Sequence, residues 1–278
     1  MTVNIDFSCV GCGQCCTGST SLTLNEMVRF ADIFPVGMTW NSVPPKKTLD
    51  PKAFQSIRDR SFLVKLGDGR AIRILGRIST MTPSKSACPA RNEDMSCAVH
   101  GAGKPGACLI APLGFGMPID FKYDRLPPMF AKCPSEAFTG SPLLRRGVVV
   151  DPEFKRHVNE NRKQLSGDVG LIEVAFAQQL QHMIQAGYNR DEAILAATSV
   201  SIFDAPQSDL VATSGIWSLI VAAVGKGRMS KPLASDTVRK QIAVCDRYRA
   251  IWSHSDTAHG ALASQIEVLN GVLEWIEK

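Results

Sequence analysis

The chain has 278 residues, of which 45% are hydrophobic and 21% charged, values that exclude a disordered chain and leave enough apolar surface for a core without disulfides. Net charge is +5, unevenly divided: residues 1–150 carry 18 Lys and Arg against 11 Asp and Glu, the remainder 13 against 15. A basic half suits an acidic partner or an anionic cofactor, although a solvated basic face is the commoner cause, and nucleic acid is not expected as a partner.

The N-terminus, Met1 to Phe7, has neither the basic start nor the apolar run of a secretory signal, so a cytoplasmic protein is expected. Residues 7–18 form a glycine-rich loop containing Cys9, Cys12, Cys15 and Cys16, whose glycines let the backbone bend around an ion. Thr23 and Glu26 then have the form of a capping box, followed by Met27, Phe30, Ala31 and Phe34 at helical spacing, which predicts a short helix. Residues 40–51, with Pro44, Pro45 and Pro51, read as an exposed connection. Two apolar runs, 62–66 and 70–75, flank Gly67-Asp68-Gly69, a β-hairpin signal.

From Thr82 to Pro142 the chain is rich in Pro, Gly and Cys and has little periodicity. A stretch of that length inside a compact domain must be held by something, and ligation by Cys88, Cys97, Cys108 and Cys133 would hold it. After Asp151 the pattern turns helical. Asp168 is placed to cap a helix ending near Gly187, further helices are expected at about 190–204 and 208–225, and Ser235 is placed to cap the next. A last helix carries Leu262, Ile266, Leu269, Leu273 and Ile276 on a narrow stripe. The apolar stretch 216–224 falls short of the roughly 20 residues that span a bilayer, so no membrane span is expected. The predicted fold class is α+β, mainly α. An irregular, metal-organised domain with a small β-hairpin (1–150) precedes a C-terminal helical bundle (151–278).

The cysteines carry the chemical signal. Eight of nine lie between Cys9 and Cys133, and in a reducing compartment so dense a set reads as metal ligands. Two intervening residues, as between Cys9, Cys12 and Cys15, let sulfurs converge on one metal. Cys15 and Cys16 are adjacent and point apart, so they serve different metals or different atoms of one cluster. Cys245 lies at helical spacing from Ile242 and Val238 and reads as core. His100 reads as a surface residue, and so do His254 and His259, which are five apart. The segment 101–106 looks like a phosphate loop, but no strand precedes it and no Lys-Ser/Thr follows it, so it is not one.

Cys9, Cys12-Gly13, Cys15-Cys16, Cys88-Pro89, Cys97 and Pro105 to Cys108, with Cys133 as a looser match, resemble the YkgJ-type cysteine-cluster family of zinc- or iron-chelating proteins, to which flagellin lysine N-methylase is related. The resemblance covers about residues 5–135. It departs from the family where Lys104 and Leu109 stand in place of arginines and where His100 stands in place of an aromatic residue. It implies a metal centre, an iron-sulfur cluster of the 4Fe-4S type or zinc, held by Cys9, Cys12, Cys15, Cys16, Cys88, Cys97, Cys108 and Cys133. It also implies, as an alternative, transfer of methyl groups to protein lysines. That activity needs S-adenosylmethionine, for which the sequence has no Gly-x-Gly-x-x-Gly fingerprint, and no catalytic residue stands out. A third alternative is a zinc-stabilised module that docks a protein partner through its C-terminal helices.

Overall fold

The computed structural model describes residues 3–14, 16–43, 51–83, 86–101, 103–111, 113, 120–198 and 214–278. In chain order the elements are β1 (Ile5–Asp6), β2 (Ser21–Leu22), α1 (Leu24–Arg29), β3 (Val36–Ser42), α2 (Pro51–Arg58), β4 (Phe62–Lys65), β5 (Ala71–Thr80) and α3 (Gly106–Leu109). Two 3-10 helices, Pro128–Lys132 and Ser135–Thr139, lead to β6 (Pro142–Arg145) and β7 (Val148–Val149). There follow α4 (Pro152–Gln185), α5 (Arg190–Ala197), β8 (Ser214–Gly215), α6 (Trp217–Gly225), α7 (Lys231–Ile251) and α8 (Asp256–Glu277). The fold is α+β and mainly α.

The expected capping box is present at α1: Glu26 N–H donates to Thr23 Oγ1, and Glu26 Oε2 accepts from Thr23 N–H at 2.8 Å. The expected hairpin is β4–β5, with Phe62 opposite Ile74 and Lys65 opposite Ala71. β5 is the centre of an antiparallel sheet, bordered by β2, β3 and β4, and β8 adds to the far side of β3.

The reading of residues 40–51 as an exposed connection fails at its start. Trp40 is buried within β3, its ring centroid 5.0 Å from that of Phe176. Its partner across the sheet is Gly76, where a Cβ would stand 2.5 Å from the Trp40 ring and 2.3 Å from Ile172. The glycine therefore makes room for a large ring between sheet and helix. The prolines at 44 and 45 lie outside the described residues.

Two cap assignments also differ. α4 begins at Pro152, where Asp151 accepts from Phe154 N–H at 2.8 Å, and Asp168 lies in its interior. α7 is capped by Ser230 through Leu233 N–H, with Ser235 one turn inside it. The helix expected at 190–204 is α5, ending at Ala197, and the one expected at 208–225 is α6, starting at Trp217. Residues 199–213 lie outside the described residues.

The main core draws on both sides of residue 150. Met27, Phe34, Met38, Trp40, Ile74 and Ile78 pack in one cluster with Ile172, Phe176, Leu219, Val238, Leu269 and Ile276. α7 adds a polar tie, because Gln241 Oε1 accepts from Val36 N–H while its Nε2 donates to the carbonyls of Ala31 and Phe34. A smaller core joins β1, β6 and β7 to Leu113, Tyr123 and Phe130. Among the described residues no helix is long and apolar enough to cross a membrane.

Candidate metal centre

The cysteine loop is set by backbone bonds. Gly13 has φ +67°, and a Cβ there would lie 1.9 Å from the Met95 carbonyl oxygen, so this position requires glycine both for its dihedral and for the close approach. Cys16 N–H donates to Gly13 O at 3.0 Å and closes a turn. The chain then runs antiparallel to 86–88, with Gly18 N–H on Ser86 O and Cys88 N–H on Cys16 O at 3.0 Å. That pairing brings the first cysteine segment beside the second.

Cys88 and Cys97 bracket a tight turn in which Arg91 pairs with Cys97 and Ser96 N–H donates to Asp94 Oδ1 at 2.9 Å. At its tip Met95 has φ 72°, which is uncommon for a residue with a side chain. Cys108 sits on α3, whose first N–H, from Gly106, donates to Glu26 Oε1 at 2.5 Å. The capping carboxylate of α1 thus also fixes the start of the Cys108 segment. Cys133 ends a 3-10 helix through its N–H bond to Phe130 O, and Ser8 N–H bonds Ala137 O at 2.9 Å, which draws Cys9 toward Cys133.

These segments surround one cavity of about 110 Å³, lined by Cys9, Cys12, Cys16, Cys88, Cys97, Cys108 and Cys133. Phe34, Ala90, Val99 and Ala107 form apolar parts of its wall. Cys9 is exposed, the other six are half-buried, and Cys15 lies outside the described residues. Cys245 is fully buried elsewhere, with Met81, Trp252 and Leu262. His100 is an exposed residue packed over Gly11, and His254 and His259 are exposed as well.

Lys104 Nζ stands 3.2 Å from Cys9 Sγ, and an ammonium there offsets thiolate charge. Burial pushes the Cys108 thiol up to about 12, with the neighbouring charges of Cys88 and Cys97 adding to the effect. Among the described residues no carboxylate or imidazole lines the cavity. Its donors are soft sulfurs, the type that zinc and iron-sulfur clusters take, so in donor chemistry the residues fit such a centre. The sulfurs are spread around the wall: among the described residues, no three His, Cys, Asp or Glu are grouped so as to hold a single metal ion.

Lys104 and Glu26 were not visible as site residues in the sequence. Lys104 gave a signal only as a departure from a family arginine, and Glu26 only as half of a capping box. Fold and site together define a mainly helical α+β protein with a cysteine-walled cavity beneath its sheet-associated loops. No protein-family model matches the chain, and neither a curated protein nor a solved structure matches it.

Proposed function

We propose that the cavity holds a thiolate-bound metal centre, an iron-sulfur cluster of the 4Fe-4S type or zinc. One observation carries the reading: cysteines from four separate stretches of chain line a single cavity, while Cys245 stands apart in the core. Seven thiols exceed the four ligands of one tetrahedral zinc and equally the four of one 4Fe-4S cluster. The reading therefore implies either more than one centre or thiols in the wall that do not ligate.

In such a centre the cysteines would supply the ligating sulfurs and Lys104 would balance charge at the exposed edge. The apolar wall keeps water from the buried side. Metal binding must displace the proton of Cys108, so affinity rises with pH and loading releases protons.

Anaerobic purification followed by elemental analysis and an absorption spectrum tests the proposal. Iron with sulfide and a broad visible band is expected for a cluster, and a colourless protein with stoichiometric zinc for the alternative. Metal-free protein that is fully folded under these conditions removes the proposal. Cys12→Ser and Cys16→Ser are expected to lower metal content, whereas Cys245→Ser leaves it unchanged. Equal loss in all three would show that the cavity is not the site.

A further inference from the structure

A second cluster of like charge lies away from the cysteines. Arg60 follows α2, Arg77 projects from β5 and Arg162 comes from α4, and Arg60 is within electrostatic reach of both others. Arg60 Nε donates to Ser56 O at 3.0 Å, and Arg77 Nη2 donates to Asn41 Oδ1 at 2.8 Å. Both acceptors are neutral. Among the described residues the neighbouring carboxylate is Asp59, 3.9 Å from Arg162 and held by Gln55 Nε2 at 2.6 Å.

Burial, with the charges of Arg162 and Arg77, pushes the Arg60 guanidinium down to about 10, and burial also lowers Arg77. Arg60 remains cationic at neutral pH. Arg77 Nε and Ser56 Oγ are buried and have no hydrogen-bond partner. Like charges that outnumber the nearby carboxylate, Asp59, and buried donors without acceptors are each costly. They occur here together, within one cluster that opens to solvent at Arg162 and Asp59, whose side chains are 30% and 42% exposed.

We propose that Arg60, Arg77, Arg162 and Ser56 form a binding site for a tetrahedral oxyanion of the phosphate type, either free or carried by a phosphorylated small molecule. Guanidinium forks match phosphate oxygens in pairs. The orphaned Arg77 Nε and Ser56 hydroxyl donate to the ligand from the buried side, and Arg162 swings from Asp59 to close the outer side. The site accounts for part of the positive excess of residues 1–150. It stands independently of the cysteine cavity.

Calorimetric titration of the full chain with inorganic phosphate and with adenosine 5′-monophosphate, at constant ionic strength, tests the site. One phosphate per chain is expected. Arg77→Gln should weaken it about tenfold or more, because a charge-assisted bond is lost. Ser56→Ala should weaken phosphate binding while leaving the phosphate-free melting temperature unchanged or higher, since its hydroxyl has no bond to lose. A purely structural cluster would do the reverse, shifting melting and leaving affinity alone. If Arg77→Gln does not fold, Ser56→Ala and Arg162→Gln carry the comparison. Tighter binding of the nucleotide assigns a phosphorylated small molecule, and equal binding assigns free phosphate. Absence of binding by either probe up to about 10 mM, well above a millimolar Kd, overturns the proposal. Equal affinity in the variants and the parent protein also overturns it.

Discussion

Cys108 and Cys245 are both thiols pushed up to about 12, chiefly by burial. Cys108 also feels Cys88 and Cys97, whereas Cys245 lies in a helical core and accepts from Gln265 Nε2 at 3.5 Å. In metal-free protein each folded thiol keeps its proton well above the 9.0 of an unfolded one. Their contribution to stability is therefore complete below about pH 9 and is lost as pH rises toward about 12. The slope is up to about 1.4 kcal/mol per pH unit for each thiol. Urea unfolding between pH 8 and 11 should show this decline, and Cys245→Ala should flatten it. An identical slope in the variant would show that Cys245 does not titrate differently on unfolding. The sequence made the distinction between the two cysteines legible, since ligand spacing and helical spacing are both local patterns.

At the scale of elements, Asp168 shows where local reading stops. An aspartate before an apolar run looks the same at the start of a helix and in its interior, and Gly167 and Gly170 beside it suggest a break rather than a continuing helix. Its role is set by a partner 144 residues away: Oδ2 accepts from Leu24 N–H at 2.9 Å, and Oδ1 is 3.2 Å from Arg228 Nη2. The carboxylate of α4 thus satisfies the first N–H of α1 and favours the positive end of a helix dipole, while Glu26 in α1 passes the constraint on to α3 through Gly106. Asp168→Ala leaves the Leu24 donor buried without an acceptor and should cost about 1–3 kcal/mol. The denaturant midpoint should fall with no change in m-value. An unchanged midpoint would show that the bond is replaced by solvent. Trp40 differs from its local signal for a related reason, because the prolines after it signal a loop while its burial depends on Gly76 and Phe176, which are distant in sequence.

Over the chain as a whole, the sequence makes legible the composition, the change to helix after residue 151 and the cysteine set. It gave no view of how the cysteine segments meet. Residue type alone marks a soft donor, whereas convergence depends on bonds such as Cys88 N–H to Cys16 O and Ser8 N–H to Ala137 O. The arginine cluster was invisible for the same reason, its members being scattered over three elements. Segments that lack regular structure depend most on whatever fills their cavity. If the proposed metal is removed by a chelator, amide exchange should rise chiefly in 86–101, 103–111 and 130–140, while α7 and α8 stay protected. Uniform acceleration throughout the chain would show that the centre supports the entire fold instead.

The core shared across residue 150 sets an order of events during synthesis. Every cysteine of the cavity has been synthesised once Cys133 is made, yet Phe34, which forms part of the cavity wall, belongs to a cluster that includes Leu269 and Ile276 of α8. Translation proceeds from the N-terminus, so the core behind the cavity wall is complete only after α8 (Asp256–Glu277) has been made. The cysteine segments are synthesised well before the helix that completes the packing behind them.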